Sequence, residues 1–532
     1  LGIVGNGYVE KELIMKRLLL VVSYFIAIIP SFAQCGAVQS LNSTQNSQLN
    51  GTFSALKISL EQKNLNQIDS LNAAGKLILS TEAGLPETAE TYTTLSGNTT
   101  WLSASNAITL SRLLIASDSI VYVNTPRICK GELPPLYQPH SVPLRAGAEI
   151  CSGLIRIANA ETDPTRRNLY MQWATDGLDT LLTMQLPNGA FPFPDLRTYG
   201  DPVFTPIINN FLQSLGADSV NVLVNGWIID DRGTGEFKFD AGVIGAAFAE
   251  AFLFTGDTNY RNAAILTASY CDTLPMNTNY NYNSFQACAL SFGYRLAPQN
   301  SDWNLNTDTL LRYSVLPGQI SNGRWMDGHN ARSVYHNIII HNSALALSNC
   351  AASNPHFDTL ALMLNSALRN FLSDYYVCGA SVGFDGLLRA YRLGNFIVPV
   401  SLHDSIGDVI GNYINRAAND GAFLDVYTMG LYLDAQFNLS GINENESDYR
   451  FTIFPNPGVN DVLYIQPGSL LNNAQTISVY HSSGAIVFEQ KYFFAGDRIP
   501  ISIPANGWSS GIYFVQITDG INTYRHRWMK MN

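Results

Sequence analysis

Two stretches of this chain hold residue types at spacings from which catalysis can be built. In "NGWIIDDRGTGEFKFD", residues 225–240, Trp227 is followed by Asp230, Asp231, Glu236 and Asp240 within a glycine-containing loop. Chemistry on a sugar needs an aromatic face for stacking and a carboxylic acid whose raised pKa lets it give up a proton near neutrality. This loop offers both. Its adjacent carboxylates can also share one proton or hold a hard cation such as Ca2+, although the spacing is not that of an EF-hand. No other cofactor is expected. The plainer reading is a solvated acidic loop in which Asp240 opens the next helix.

The second stretch, "GRWMDGHNARSVYHNIIIHNSALALS", covers residues 323–348. On a helical wheel Asn330, Asn337, His341 and Ser348 fall within roughly 40° of one another. The helix is otherwise apolar, so these amides, the imidazole and the hydroxyl need buried partners. A ligand cavity is one supplier, and an internally satisfied amide network is the other. The approach to the helix adds Arg324, Trp325, Asp327, His329 and Arg332, with Tyr335 and His336 one turn on. His336 and His341 are five residues apart, not the four that set two ligands on one helical face, so no metal site is expected.

The elements that must position these residues are helices. "RAGAEICSGLIRIANA", "RRNLYMQWATDGLDTLLTMQ", "DAGVIGAAFAEAFLFTG", "TNYRNAAILTASYCDTL", "NYNSFQACALSFGYRLA" and three later stretches have helical length and short connections such as "TGD". Short connections make antiparallel hairpins. Asp257 is placed to start a helix. "DAGVIGAAFAEAFLF" is apolar on nearly every side and should be buried all round, whereas the stretch after it has a polar face. An inner and an outer helix in each hairpin is what an (α/α) toroid requires. The expected fold is therefore mainly α, a toroid of helical hairpins, with a small β-sandwich at the C-terminus.

This alternation, together with "TMQLPNGAFPFPD" at residues 183–195, resembles the toroidal carbohydrate-active enzymes, the polysaccharide lyases and six-hairpin glycosidases. "GHNARSVY" is similar to the Asn, His and Tyr turn of the lyases, with the order of Asn and His altered. The resemblance implies, for a lyase, that His329 or Tyr335 is base or acid while Asn330 and Arg332 handle the uronate carboxylate. For a hydrolase it implies Asp230 or Asp231 as acid and Asp327 as base. Trp227 and Trp325 would stack on sugar rings, and Arg324, Asn337 and His341 would complete the substrate-binding set. The expectation is a polysaccharide-degrading enzyme, lyase or glycoside hydrolase, with a polysaccharide as partner. The alternative is a non-catalytic surface protein that binds glycans or adheres.

From residue 451 the periodicity changes from helical to alternating. "DVLYIQ", "TISVY", "AIVFEQKYFF", "IPISI" and "GIYFVQI" are short β-branched and aromatic runs, and Asp519-Gly520 favours a tight hairpin. "FPNP" at residues 454–457, "SSGIYFVQI" at 509–517 and the basic finish "YRHRWMK" complete a pattern that resembles the C-terminal sorting domain of type IX secretion cargo. That resemblance implies the outer-membrane export machinery as a partner and a secreted or surface location reached through the periplasm. A carbohydrate-binding sandwich is the other reading, with Trp508 and Trp528 as its aromatic residues.

The start of the chain agrees with export. Residues 15–33, "MKRLLLVVSYFIAIIPSFA", run from basic through apolar to small residues, as a secretory signal does, and residues 1–14 read as translated upstream sequence. The remaining boundaries are an irregular segment at 34–135 in which "NSTQNSQLNGT" is loose, the helical domain at 136–438, a polar linker at 439–450 and the tail at 451–532. Charged residues are 14% of the chain, with 42 acidic against 31 basic and no long basic run, so no nucleic-acid partner is expected. No membrane span is expected in the mature chain. Export permits disulfides, and Cys271 and Cys288, which flank a turn almost symmetrically, are the expected pair.

Overall fold

The computed structural model describes residues 43–62, 101–132, 142–199, 204–230, 236–319, 323–325, 330, 333–349, 356–378, 384–392, 398–420 and 424–437, with short pieces at 64, 66–71, 73–74 and 202. In the tail it describes 451–454, 462–467, 472–481, 485–495, 501–509, 511–518 and 523–530. Residues 1–33, where a secretory signal and upstream sequence are expected, and residues 439–450, where a linker is expected, lie outside the described residues.

The protein is mainly helical. In chain order the helices that matter here are α1 (Ser43–Glu61), α2 (Ala104–Ser117), α3 (Thr125–Cys129), α4 (Leu144–Ala160), α5 (Pro164–Met184), α6 (Glu236–Thr255) and α7 (Thr258–Thr273). They continue with α8 (Tyr280–Leu296), α9 (Ser301–Leu310), α10 (Ser333–Asn349), α11 (Phe357–Cys378), α12 (Asp385–Arg392), α13 (Val400–Asp420) and α14 (Val426–Phe437). Asp257 caps α7 as expected, its carboxylate accepting from Asn259 N at 2.8 Å, and Asp163 caps α5 in the same way. Each cap satisfies backbone donors that the first helical turn leaves open.

The even-numbered helices from α4 to α14 form a circuit. Helix α4 packs on α6, α6 on α8, α8 on α10, α10 on α12 and α12 on α14, and α14 returns to α4. Outside this circuit α5 lies on α4, α7 on α6 and α8, α9 on α8, α11 on α10 and α13 on α12. Burial follows the same division. Helix α8 is buried along almost its whole length, whereas α7 buries one face.

Side-chain pairs show how neighbouring members of the circuit are aligned. Arg145 pairs with Asp240 and Arg156 with Glu250. Asn342 donates to Ser284 and Asn349 to Ser291. Asn337 accepts from Gly386 and His341 from Arg389. In each case the residue numbers rise together on both helices, so these neighbours run parallel. The N-terminal ends of α4, α6, α10 and α12 accordingly face the same way.

Two sequence expectations need correction. The stretch expected to be loose before Gly51 lies in α1, because Leu56 and then Ile68 bury themselves in the main core and hold the segment down. Cys271 and Cys288 are separate buried thiols. The residue of α8 that meets the end of α7 is Gln286, whose Nε2 donates to the Cys271 carbonyl at 2.7 Å. Cys288 is two residues further on, about 200° round the helix.

A short sheet with strand order β1–β3–β2, made of Phe193–Pro194, Trp227–Ile228 and Leu223–Val224, sits ahead of α6. The tail holds β4 (Phe451–Phe454), β5 (Val462–Pro467), β6 (Asn472–His481), β7 (Ile486–Ala495), β8 (Ile501–Pro504), β9 (Gly511–Thr518) and β10 (Thr523–Lys530). They form two antiparallel sheets, β10–β9–β6–β7 and β4–β5–β8. Ile453, Leu463 and Ile503 of one sheet share a core with Ile477, Val515 and Trp528 of the other. Alternate residues on each strand supply that core, as the period of two dictates.

Candidate active site

The inward faces of the circuit carry polar stripes. On α4, Arg145, Glu149, Ser152 and Arg156 recur at intervals of four, three and four, which sets them on one helical face. On α12, Asp385, Arg389 and Arg392 do the same. Helix α6 contributes Asp240 and Glu250 from an otherwise apolar sequence, and α14 contributes Tyr427 and Asp434. The stripes meet because α4 and α14 touch backbone to backbone. A Cβ on Gly153 would lie 2.5 Å from the Val426 carbonyl oxygen, and one on Gly430 would lie 2.7 Å from the Gly153 oxygen. Only glycine permits that approach.

Toward the C-terminal halves of these helices the stripes form an ion-pair lattice. Glu250 Oε1 lies 2.7 Å from Arg156 Nη2 and 2.7 Å from Arg389 Nη2, while Ser152 Oγ donates to Oε2 at 3.0 Å. Arg392 Nη1 donates to the Asp434 carbonyl at 2.6 Å, and Arg156 Nε lies 3.5 Å from Asp434 Oδ2. Burial opposes ionisation of Glu250, yet the two guanidiniums and Ser152 overcome it and hold the carboxyl down at about 2. His341 is pushed to about 3, first by burial and then by the Arg389 charge. Burial raises the Tyr427 phenol well above its ordinary value.

Toward the N-terminal ends the balance reverses. Thr428 holds two carboxylates at once, its backbone N–H donating to Asp425 Oδ1 at 2.7 Å and its hydroxyl to Asp385 Oδ1 at 2.8 Å. Burial and the neighbouring Asp425 raise Asp385 to about 7, and burial also raises Asp425. Glu149 faces the same pair. Burial, then Asp425 and Asp385, push it up to about 8 against the pull of Arg145. Like charges that oppose one another in a dehydrated setting resist joint ionisation, so Glu149, at about 8, keeps its proton at neutral pH. Glu149, Asp385, Asp425, Tyr427 and His341 are only half-buried. Each therefore keeps partial exposure on the inward side of the circuit, and we term this group of side chains the recess.

The sequence-named residues fall around this recess unevenly. His341 is in it. Asn337 is buried at the α10–α12 contact, where its Oδ1 accepts from Gly386 N at 2.9 Å. Asn330 is buried and accepts from Asn281 N at 3.1 Å. Tyr335 is half-buried on the first turn of α10. Trp325 is 1% exposed, donates to the Val315 carbonyl and meets His336 edge-on, so its ring is core and not a platform for sugar. Arg324 is buried beside it and its pKa is lowered to about 10 by burial. Trp227 is half-buried, its ring lying against Gly131, where a Cβ would meet it at 2.4 Å. Asp230 is exposed. Asp231, Asp327, His329 and Arg332 lie outside the described residues. Among the described residues no cluster of His, Cys, Asp or Glu is arranged to hold a metal ion.

Glu149, Asp385, Asp425, Glu250, Arg389 and Tyr427 were not singled out from the sequence. Their signal was present nonetheless: ionisable residues at helical spacing inside Ala-, Gly- and Leu-rich runs, which only a shared polar interior can accommodate.

The tail answers to a known family. Residues 452–531 match the model described as secretion system C-terminal sorting domain. The tail is a type IX sorting domain. Export through the type IX secretion system to the cell surface or the extracellular space follows from it, as does interaction with that machinery. Of the two aromatics on which a glycan-binding reading of the tail would rest, Trp528 is fully buried, packed against Tyr513 and Trp508, and Trp508 is half-buried. Among the described residues no helix is long and apolar enough to cross a membrane. No curated protein matches the chain.

Proposed function

We propose that the helical domain is an (α/α) toroid that degrades polysaccharides outside the cell by hydrolysing glycosidic bonds, with the recess as its active site. The closed circuit of parallel inner helices, backed by outer ones, supports the toroid reading. One observation carries the catalytic reading: Glu149, Asp385 and Asp425, from three separate segments, converge with pKa values raised into or toward the neutral range. Glycoside hydrolysis needs one carboxylic acid still protonated at working pH and a second carboxylate ionised beside it. Glu149, held at about 8, is the acid that protonates the leaving oxygen. The Asp385–Asp425 pair, fixed by Thr428, supplies the ionised partner that activates water or attacks the anomeric carbon.

A second reading, elimination from a uronate polymer, draws on Tyr427, whose hydroxyl lies 3.0 Å from His341 Nε2 with Arg389 alongside. The two separate by product. The exported protein is incubated with neutral and acidic polysaccharides, and reducing ends and unsaturated uronate absorbance are followed together. Reducing ends alone, abolished by Glu149→Gln, support hydrolysis. Unsaturated product, lost in Tyr427→Phe and retained in Glu149→Gln, supports elimination. Retention of a glycan without turnover leaves a binding protein.

A further inference from the structure

The structure points to a modification unconnected with that chemistry: we propose that Cys129 and Cys151 are joined as a disulfide in the exported protein, clamping α3 to α4. Both side chains are fully buried. Cys129 closes α3 and Cys151 sits at mid-face of α4, and the two helices pack directly on each other. Both stand as free thiols, and after burial it is Cys151 that raises the Cys129 thiol. Both sulfurs also crowd one point on α5, since a Cβ on Gly177 would stand 2.5 Å from Cys151 Sγ and 3.5 Å from Cys129 Sγ. A Cβ on Gly147, one helical turn before Cys151, would lie 2.6 Å from Cys129 Sγ, so glycines on two helices make room for the pair. Cys271 and Cys288, whose sulfurs crowd no common glycine among the described residues, serve as internal controls.

Compartment makes the geometry consequential. Thiols this close in the cytosol stay reduced, but this chain is exported, and disulfides form and persist on that route. The step balances as thiol–disulfide exchange. The two cysteines lose their S–H protons and form one S–S bond. The electron pair passes to a disulfide oxidant of the periplasm, which leaves as a dithiol. Because neither sulfur reaches solvent in the folded domain, the exchange must precede the closing of α3 and α5 over α4. Cys151 lies between Glu149 and Ser152, so the clamp also fixes the turn of α4 that carries them.

The test uses protein recovered from the medium or cell surface of a type IX-competent host. It is denatured without reductant, alkylated, digested and mapped by mass spectrometry. The expected result is a linked Cys129–Cys151 peptide, with Cys271 and Cys288 alkylated. Melting with a reductant present, which reaches the pair as the domain opens, should lower the transition by about 5 °C, and the same treatment should leave Cys129→Ser/Cys151→Ser unmoved. Full alkylation of both cysteines in the exported protein overturns the proposal. So does a linkage of either one to a different cysteine. If the serine variant is not recovered, Cys129→Ala/Cys151→Val keeps the stability arm available, and the peptide map needs no variant at all.

Discussion

Arg389 presents its Nε to Nε2 of His341 at 3.1 Å. A guanidinium can only donate, so that ring nitrogen must accept. The Tyr427 hydroxyl faces the same nitrogen at 3.0 Å, and Asn342 Oδ1 lies 3.4 Å from Nδ1. The ring is therefore neutral, with its proton on Nδ1, and it is a poor proton donor at any physiological pH. A histidine with a depressed folded pKa stabilises the fold above its ordinary 6.5, and that stability is lost as pH falls toward about 3. Buried His336, also held near 3, behaves the same way. Urea unfolding followed between these pH values should show stability declining on acidification, with a shallower decline in His341→Gln. An unchanged decline would mean His341 titrates normally.

Glu149 has the opposite sign. Its folded pKa is raised to about 8, so its stabilising share is complete below the ordinary 4.5 and disappears as pH rises through about 8. Glu149→Gln resembles the protonated acid and should fold as well as the parent or better, with less loss of melting temperature on the alkaline side. Turnover should nevertheless fall by about 100-fold or more. In the parent, turnover should decline with rising pH as the same proton is lost. Parallel loss of folding and turnover in the variant would reduce Glu149 to a structural acid.

What could be read from the sequence divides along physical lines. Local signals were enough for the tail, where alternation and turn residues placed strands such as Val462–Pro467 and Gly511–Thr518. Asp257 likewise marked a helix start, because a cap is satisfied within three residues. The recess depends on contacts far apart in sequence. Asp385 and Thr428 come together only because α12 and α14 pack. The aromatic rule misled at Trp325, since an indole N–H can be satisfied as well by a core carbonyl, here that of Val315, as by a ligand. His341 was found because an imidazole on an apolar stripe has to be paired with something.

Glu250 ties α4, α6 and α12 together through Arg156 and Arg389. Removing its charge leaves two buried guanidiniums facing a neutral amide, so Glu250→Gln should cost about 3–5 kcal/mol in urea unfolding. The carboxyl is held near 2, below its ordinary 4.5, so its contribution is intact above that value and lost as pH falls through the interval. The variant should therefore show less of the parent's loss on acidification. A cost below about 1 kcal/mol would show that water reaches the lattice and screens it.

Gly153→Ala tests whether the α4–α14 contact sets the carboxyl group's geometry. The new methyl would stand 2.5 Å from the Val426 oxygen, which is backbone and cannot swing aside. The helices must separate, at a cost of about 1–3 kcal/mol. Glu149 and Asp425, on either side of that contact, should move apart, relieving their mutual repulsion. The alkaline limit of turnover should shift down, because Asp425 raises the Glu149 pKa. Loss of stability with an unshifted pH profile would separate the contact from the chemistry.

Trp528 offers a way to disable the export label without touching the recess. Its ring is fully buried in the tail core against Tyr513 and Trp508, all within residues matched to the sorting domain. Trp528→Ala should cost that small core about 3–5 kcal/mol, enough to unfold a domain of this size. The altered protein should then be retained in the periplasm, where its melting transition for the helical domain should match that of the parent. Normal delivery to the surface would mean that the machinery reads an extended segment of the tail and not its folded sheets.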